Sequence, residues 1–516
     1  MRSFSLVKQR KKKILTLFFL IVLISTSFLS LLCENHRKNG NSLTPNIFSG
    51  NTGENNLLDQ YNAQDLISAN NSQYPINYTG NNVTVAVLDT GIRAEHNAFT
   101  DAGRINWSER IQEFWDEKED GVTDDPEDIY WHGTWTASIL GGNGTDYQGV
   151  APDVNFIIMQ VFKYNEDDEI VSDPDIVERA VNWLIENKEK YNIRIVSMSF
   201  GAEINSGNQD EVERLHEMVD DLFFQDILVV ASAGNYGAEG SGTITSPASA
   251  KSALAVGGLD EEGNIYPKSG RGPTNEGVIK PDVCAPAVSI LGASKEGSLE
   301  EYISRSGTSA STPMVAGLAA LMLEKNDELT SKDLKSIISM TSIRTEEQQT
   351  LKDNAQGWGR VNGYAALRAL ETPTRITQNF DLEFHLNHEI GVLCLPLTVP
   401  PDQYFLQLDS LDSLKAEMFL FARESDSYGN PQLVTDTLSL LTQSSSQQRM
   451  GFFTEKDQSY YLVVKALLNS GTEGTFKISL VFDERAVLIV ILFGLNLISL
   501  IYIIRKRVNP SYLNKK

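Results

Sequence analysis

Between residues 83 and 232 the chain alternates four short apolar runs, at 83–89, 155–161, 193–199 and 227–232, with two longer amphipathic stretches at 174–190 and 210–224. The apolar runs are too short for helices and nearly continuous in hydrophobicity, the pattern of strands buried on both faces. Strands separated by helix-length connections return in the same direction, so the alternation predicts a parallel sheet with right-handed crossovers and helices on both faces. In such open α/β sheets the functional crevice lies beyond the C-terminal ends of the strands.

The first apolar run, Val83-Thr84-Val85-Ala86-Val87-Leu88, ends on Asp89, followed by Thr90 and Gly91. A carboxylate there points into that crevice. His132-Gly133-Thr134-Trp135-Thr136-Ala137-Ser138-Ile139-Leu140 places a histidine at the start of an apolar helix. A third segment, Ser306-Gly307-Thr308-Ser309-Ala310-Ser311-Thr312-Pro313-Met314, leads into a run of small and apolar residues reaching Leu323. Its spacing predicts a buried helix with Ser309 near the positive end of the helix dipole. Serine is a nucleophile only when a base lies within hydrogen-bond reach and a third group fixes the tautomer of that base. Asp89, His132 and Ser309 supply acid, base and nucleophile in the order Asp, His, Ser.

That order and those local motifs resemble the subtilisin family (subtilases). Asp-Thr-Gly at Asp89, His-Gly-Thr at His132 and Gly-Thr-Ser-Ala-Ser-Thr-Pro around Ser309 match three family signatures. Ala231-Ser232-Ala233-Gly234-Asn235 matches a fourth, and the resemblance makes Asn235 the oxyanion-hole amide. It spans roughly residues 58–370 and implies a serine endopeptidase working through an acyl-enzyme, with protein or peptide substrates and no cofactor required for catalysis. It also implies that Ser199-Phe200-Gly201, with Ala233 and Gly234, flank the substrate-binding pocket. Gly357-Trp358-Gly359-Arg360-Val361-Asn362-Gly363 resembles the closing motif of the family.

Departures from the pattern are specific. Trp131 stands where glycine is usual before the histidine, Trp135 where a second histidine is usual, and Ala287 where glycine is usual after the Lys280–Pro286 segment. The Gly141–Asp146 loop is shorter than the best-known calcium loop of the family, which argues against calcium there. The family often carries a folded inhibitory prodomain ahead of the catalytic region, and residues 33–56 are too few for one. A non-enzymatic scaffold would be expected to lack Asp89, His132, Asn235 or Ser309, and all four are present. A serine esterase would use a Gly-x-Ser-x-Gly elbow, which Gly307-Thr308-Ser309-Ala310-Ser311 breaks.

Composition fits an enzyme outside the cytoplasm. Cys33, Cys284 and Cys394 are widely spaced and match neither a disulfide framework nor a metal site. Six basic residues among the first 13 precede an apolar run at 14–32, the layout of a secretory signal or an uncleaved anchor. A charge-free apolar stretch at 486–504 is followed by Arg505-Lys506-Arg507, which predicts a C-terminal transmembrane helix with a cytoplasmic tail. Between the two basic ends lie 33 basic and 68 acidic residues, a balance that argues against nucleic-acid binding.

The expected organisation is therefore a signal or anchor (1–32), a polar linker (33–56), a subtilisin-like region (57–372), a β-sandwich-like region (376–483), a membrane helix (486–504) and a basic tail (505–516). The protein is expected in a membrane, single-pass, or two-pass if the first segment is kept, with the catalytic region extracellular or lumenal. Sequons at Asn70, Asn77, Asn82, Asn106 and Asn143 fall on that outer side. Eight carboxylates crowd residues 116–128, just before His132. Like charges that dense repel, so the segment reads as a solvated loop, a structural calcium site or a rim for basic substrates.

Overall fold

The structure, a computed structural model, describes residues 61–67, 77–100, 110–434 and 447–482, less 117, 119–120, 145–146, 205–206, 346–347, 349, 388–390, 412–413 and 468–472. The apolar runs and their companions form one eight-stranded sheet. In chain order its strands are β1 (Thr84–Asp89), β2 (Ile111–Asp116), β3 (Gly121–Val122), β4 (Asn155–Gln160), β5 (Ile193–Met198), β6 (Leu228–Ser232), β7 (Leu254–Leu259) and β8 (Val283–Pro286). Side by side they run β8-β7-β6-β5-β1-β4-β2-β3. Every neighbouring pair is parallel except β2 and β3. This corrects the all-parallel expectation at one edge. Four residues separate Asp116 from Gly121, too few for a crossover, so β3 returns antiparallel.

From β1 the chain builds β2, β3 and β4 on one side and then crosses back to build β5 to β8 on the other. β1 stands where the strand order reverses, the place at which a crevice opens beyond the strand ends. Asp89 is its last residue.

Alternation along the strands sorts the core into two layers. Val85, Val87, Phe156, Ile158, Ile195 and Val230 face one cluster, which also holds apolar residues of helices α1 (His132–Gly141) and α4 (Thr308–Lys325). Ala86, Leu88, Ile157, Met159, Val196 and Val229 face the other, against α2 (Pro174–Tyr191) and α3 (Gln209–Phe224). α2 begins where Asp173 accepts the backbone N–H of Ile176 and Pro174 follows at the first turn, and it ends on left-handed Asn192. α5 (Ser331–Met340) opens with a reciprocal Thr330–Asp333 capping box, and α6 (Gly363–Arg368) is capped by Asn362.

Past residue 376 the described strands are β9 (Phe380–Asn387), β10 (Val392–Val399), β11 (Asp402–Ser410), β12 (Lys415–Ala422), β13 (Gln447–Thr454), β14 (Gln458–Leu467) and β15 (Glu473–Phe482). They make two four-stranded sheets, one ordered β9-β15-β11-β13 and the other β10-β14-β12 with the short strand Thr374–Arg375 beside β10. Phe384, Leu406, Phe476 and Ile478 of the first sheet meet Leu397, Leu420, Leu462 and Val464 of the second in a common core. The opposite face of the second sheet is not left to solvent. Val392, Cys394, Phe421, Tyr461 and Val463 join the cluster that contains α4 and α5. Trp358 meets Phe421 edge to face at 6.0 Å, and Arg344 pairs with Glu417 across the junction. Gly357 (φ 60°) and Gly359 (φ 110°) deliver Trp358 to that junction. A Cβ at either would sit 2.1 or 2.0 Å from the carbonyl oxygen of Asp282 or Ile343.

The membrane expectation is corrected. Among the described residues no helix is long and apolar enough to cross a membrane. α4, 18 residues long and almost entirely apolar on its inner turns, buries its surface against the sheet and helices α1, α5 and α6. The runs at 14–32 and 486–504 that prompted the expectation of a transmembrane helix, a membrane partner and a membrane location lie outside the described residues, as do the linker at 33–56 and the tail at 505–516.

Candidate active site

Asp89, at the end of β1, is 1% exposed, and each of its oxygens is committed. Oδ1 accepts the backbone N–H of Thr90 at 2.8 Å and Oδ2 accepts the Thr136 hydroxyl at 3.0 Å. Both face the Nδ1 of His132, at 2.8 and 3.0 Å. An Nδ1–H donated to a carboxylate leaves Nε2 as the basic end of the ring. Burial alone would lower the His132 pKa. The charge and hydrogen bond of Asp89 outweigh it, Asp128 adds to them, and the net shift is upward.

Asp128 is the residue that sequence reasoning placed in the wrong environment. It ends the acidic run yet is 2% exposed. Its Oδ1 accepts from the Thr90 hydroxyl (2.7 Å) and the Tyr130 N–H (3.0 Å), and its Oδ2 from the N–H (2.9 Å) and hydroxyl (2.6 Å) of Thr134. Thr90 in turn accepts the N–H of Gly133 at 2.9 Å. Asp128 thus ties the end of β1 to the first turn of α1, where His132 sits. Asp124 and Asp125 are exposed. Among the described residues no group of three or more His, Cys, Asp or Glu side chains is placed to hold a metal ion.

Ser309 is the second residue of α4. Its hydroxyl donates to the carbonyl of Ser199 at 2.9 Å, and the Ser199 hydroxyl donates back to the Ser309 carbonyl at 3.1 Å. In this rotamer Oγ is turned to the Ser199 wall. A rotation about Cα–Cβ redirects it, and such pairs commonly tighten only when substrate binds. Asn235, just past β6, accepts the Thr308 N–H on Oδ1 at 3.1 Å. Its amide nitrogen is therefore the donor end left for the cleft.

Thr90, His132, Asn235 and Ser309 line one cleft of about 770 Å³. Ser199, Phe200, Gly201 and Gly234 line it too, whereas Ala233 is fully buried behind them and contributes no surface. Phe162, Tyr164, Ile170 and Tyr236 also form its walls, with Tyr130, Asp168 and Ser232, and the four were not singled out from the sequence. An aromatic pair two residues apart just after β4, an end expected to reach the crevice, was the available signal for Phe162 and Tyr164.

Trp135 is fully buried. Its Nε1 donates to the Ile290 carbonyl at 3.3 Å, and it packs so tightly on Gly292 that a Cβ there would lie 2.3 Å from the indole. The tryptophan that replaces the usual histidine is thus accommodated by a glycine across the contact. Cys284 and Cys394 are buried free thiols, and burial pushes the Cys394 pKa up to about 12, so neither is a nucleophile.

A buried Asp–His pair and a serine at a helix start, converging at a sheet's reversal point, define the site of a serine hydrolase. Residues 80–359 match the sequence model of the Subtilase family, more than half of the chain. The chain belongs to that family, the subtilisin-type serine endopeptidases. It is 31% identical over 312 residues to serine protease AprX of Bacillus subtilis (strain 168), covering 55% of this chain and 66% of that one. It is 30% identical to subtilisin DY of Bacillus licheniformis, covering 51% of this chain and 85% of the relative. A solved cold adapted subtilisin-like serine proteinase is 24% identical with a TM-score of 0.46, covering 58% of this chain and 99% of that one. The chain thus spans just under two thirds of AprX.

Proposed function

We propose that the protein is an endopeptidase that cleaves protein or peptide substrates through Asp89, His132 and Ser309, with Asn235 as oxyanion donor. The observation that carries this reading is the Asp89–His132 pair at 2.8 Å opening on the same cleft as Ser309 and Asn235. Asp89 holds the imidazole with Nε2 toward the cleft. His132 takes the Ser309 proton as Oγ attacks the peptide carbonyl, and the oxyanion is met by the Asn235 Nδ2 and the N–H of Ser309 at the start of α4. His132 then protonates the leaving amine. Water, deprotonated by the same ring, releases the acyl half. Ser199-Phe200-Gly201 lines the cleft just past β5, which suits it to flank the acyl side of a bound peptide.

The test is a fluorophosphonate probe on the intact protein. It should label Ser309 alone, and Ser309→Ala should lose both labelling and peptide cleavage while keeping the wild-type melting temperature. Labelling at another residue, or turnover retained by the alanine variant, would remove the assignment.

A further inference from the structure

A second cavity, of about 480 Å³, meets the first at Tyr130, His132, Asn235 and Ser309. Its own walls are Trp131, Trp135, Arg305, Ser306 and Gly307. The reacting serine therefore lies between two cavities. If the acyl half of a substrate runs along Ser199-Phe200-Gly201, the residues beyond the scissile bond pass into the second one, beside the imidazole that must protonate the leaving amine.

Arg305 is the charged group of that cavity. It ends the hairpin strand Tyr302–Arg305, paired with Ile290 of the strand Ile290–Ala293, four residues ahead of Ser309. Its guanidinium lies over the Trp131 ring at 5.1 Å, a cation–π contact that fixes the side chain without neutralising it. Arg93, Arg194, Arg214, Arg344, Arg368 and Arg375 each sit on a carboxylate. Among the described residues no carboxylate pairs with Arg305, in a chain with 68 acidic and 44 basic residues. Trp131 stands where glycine is usual in the family, and the hairpin that carries Arg305 is tied to α1 by the Trp135–Ile290 hydrogen bond.

We propose that this cavity receives the leaving-group side of the substrate and that Arg305, braced by Trp131, selects a carboxylate there. The inference rests on the endopeptidase reading above. The carboxylate comes either from an Asp or Glu side chain just past the scissile bond or from the C-terminus of a short substrate. Arg305 is exposed, so the selection is modest and weakens with salt.

Quenched fluorogenic peptides test it, with a fixed acyl half taken from a library profile and an amidated C-terminus. Glu, Gln or Lys is placed at the first or second position after the scissile bond, and a shortened peptide puts a free C-terminal carboxylate at those positions. At low salt the Glu peptide should exceed the Gln peptide about fivefold in kcat/KM, with the Lys peptide lower still. Arg305→Glu should reverse the Glu/Lys order, and Trp131→Leu should shrink the ratio. A preference shown only by the short free acid assigns the carboxylate to a chain terminus. Equal rates for all peptides in the wild type, or ratios unchanged in Arg305→Glu, overturn the inference. Fluorophosphonate labelling of the same preparations separates the two readings: a labelled Ser309 with a flat profile sinks only this one, and an unlabelled Ser309 sinks both.

Discussion

Lys465 of β14 donates an Nζ–H to the backbone carbonyl of Ser342, 2.7 Å away, with its side chain shielded from water where the β-sandwich meets the segment that follows α5. Burial, with Arg344 adding to it, lowers its pKa to about 7, and Cys394 and Glu417 offset only part of that. In an unfolded chain lysine titrates near about 10.4. Between these values the unfolded chain holds a proton that the folded chain lacks, so stability from this residue rises with pH through that range. Below about pH 7 both states are protonated and the folded state carries the full cost of a buried charge. Lys465→Met keeps the volume and removes the charge. Its urea midpoint should exceed that of the wild type at pH 6, and the difference should shrink or reverse by pH 9. Parallel midpoints across that range would show that the buried ammonium does not set the stability of the junction.

The raised pKa of His132 makes a second pH prediction. The base must be neutral to accept the Ser309 proton, so kcat/KM should rise with pH through a midpoint above the ordinary histidine value of about 6.5. Asp89→Asn removes the main charge that raises it. The midpoint should move down, and kcat should fall by roughly 10⁴ because the ring loses its fixed tautomer. A pH–rate profile unmoved by that substitution would mean that another group controls the limb.

Asn235→Ala tests the oxyanion role separately from binding. The amide oxygen is anchored on Thr308 and the nitrogen is turned to the cleft, so the donor should act on the developing oxyanion rather than on the bound substrate. The expected result is a kcat lower by about 10²–10³ with KM nearly unchanged. A loss confined to KM would reassign Asn235 to substrate binding.

How much of this was legible in the sequence depended on whether a residue's environment follows from its neighbours. β1 and Asp89 were readable because a buried parallel strand needs a continuous apolar run, and its polar end marks the crevice. Ser309 and His132 were readable because each opens an apolar helix. Asp128 was not, because an acidic run looks solvated and its burial depends on three partners, Thr90, Tyr130 and Thr134, that converge only in the fold. Lys465 was missed for a related reason: a lysine in a strand reads as outward-facing, and only the docking of β14 against Ser342 buries it. Ala233 shows the opposite error. It was grouped with Gly234 as pocket-lining, but adjacent residues leaving a strand face opposite ways, and only Gly234 reaches the cleft. The apolar runs at 14–32 and 486–504 suggested membrane spans through length and hydropathy alone; both lie outside the described residues, and among those residues no helix combines the two.

Asp128 then supplies a prediction that separates a structural carboxylate from a solvated one. It accepts four hydrogen bonds, two on each oxygen, and an asparagine in its place would turn an NH₂ toward donors on Thr90 or Thr134. The mismatch should cost about 1–3 kcal/mol of stability. It should also loosen the turn that carries His132 and remove one of the charges that raise its pKa. Asp128→Asn is therefore expected to lower the denaturant midpoint, shift the pH–rate midpoint down and reduce kcat/KM. Asp124→Asn and Asp125→Asn, both at exposed positions, should leave stability within about 0.5 kcal/mol of the wild type. Chemical denaturation and pH–rate profiles of the three single variants decide the matter. If all three behave alike, Asp128 belongs to the solvated acidic loop after all and its hydrogen bonds do not hold the histidine in place.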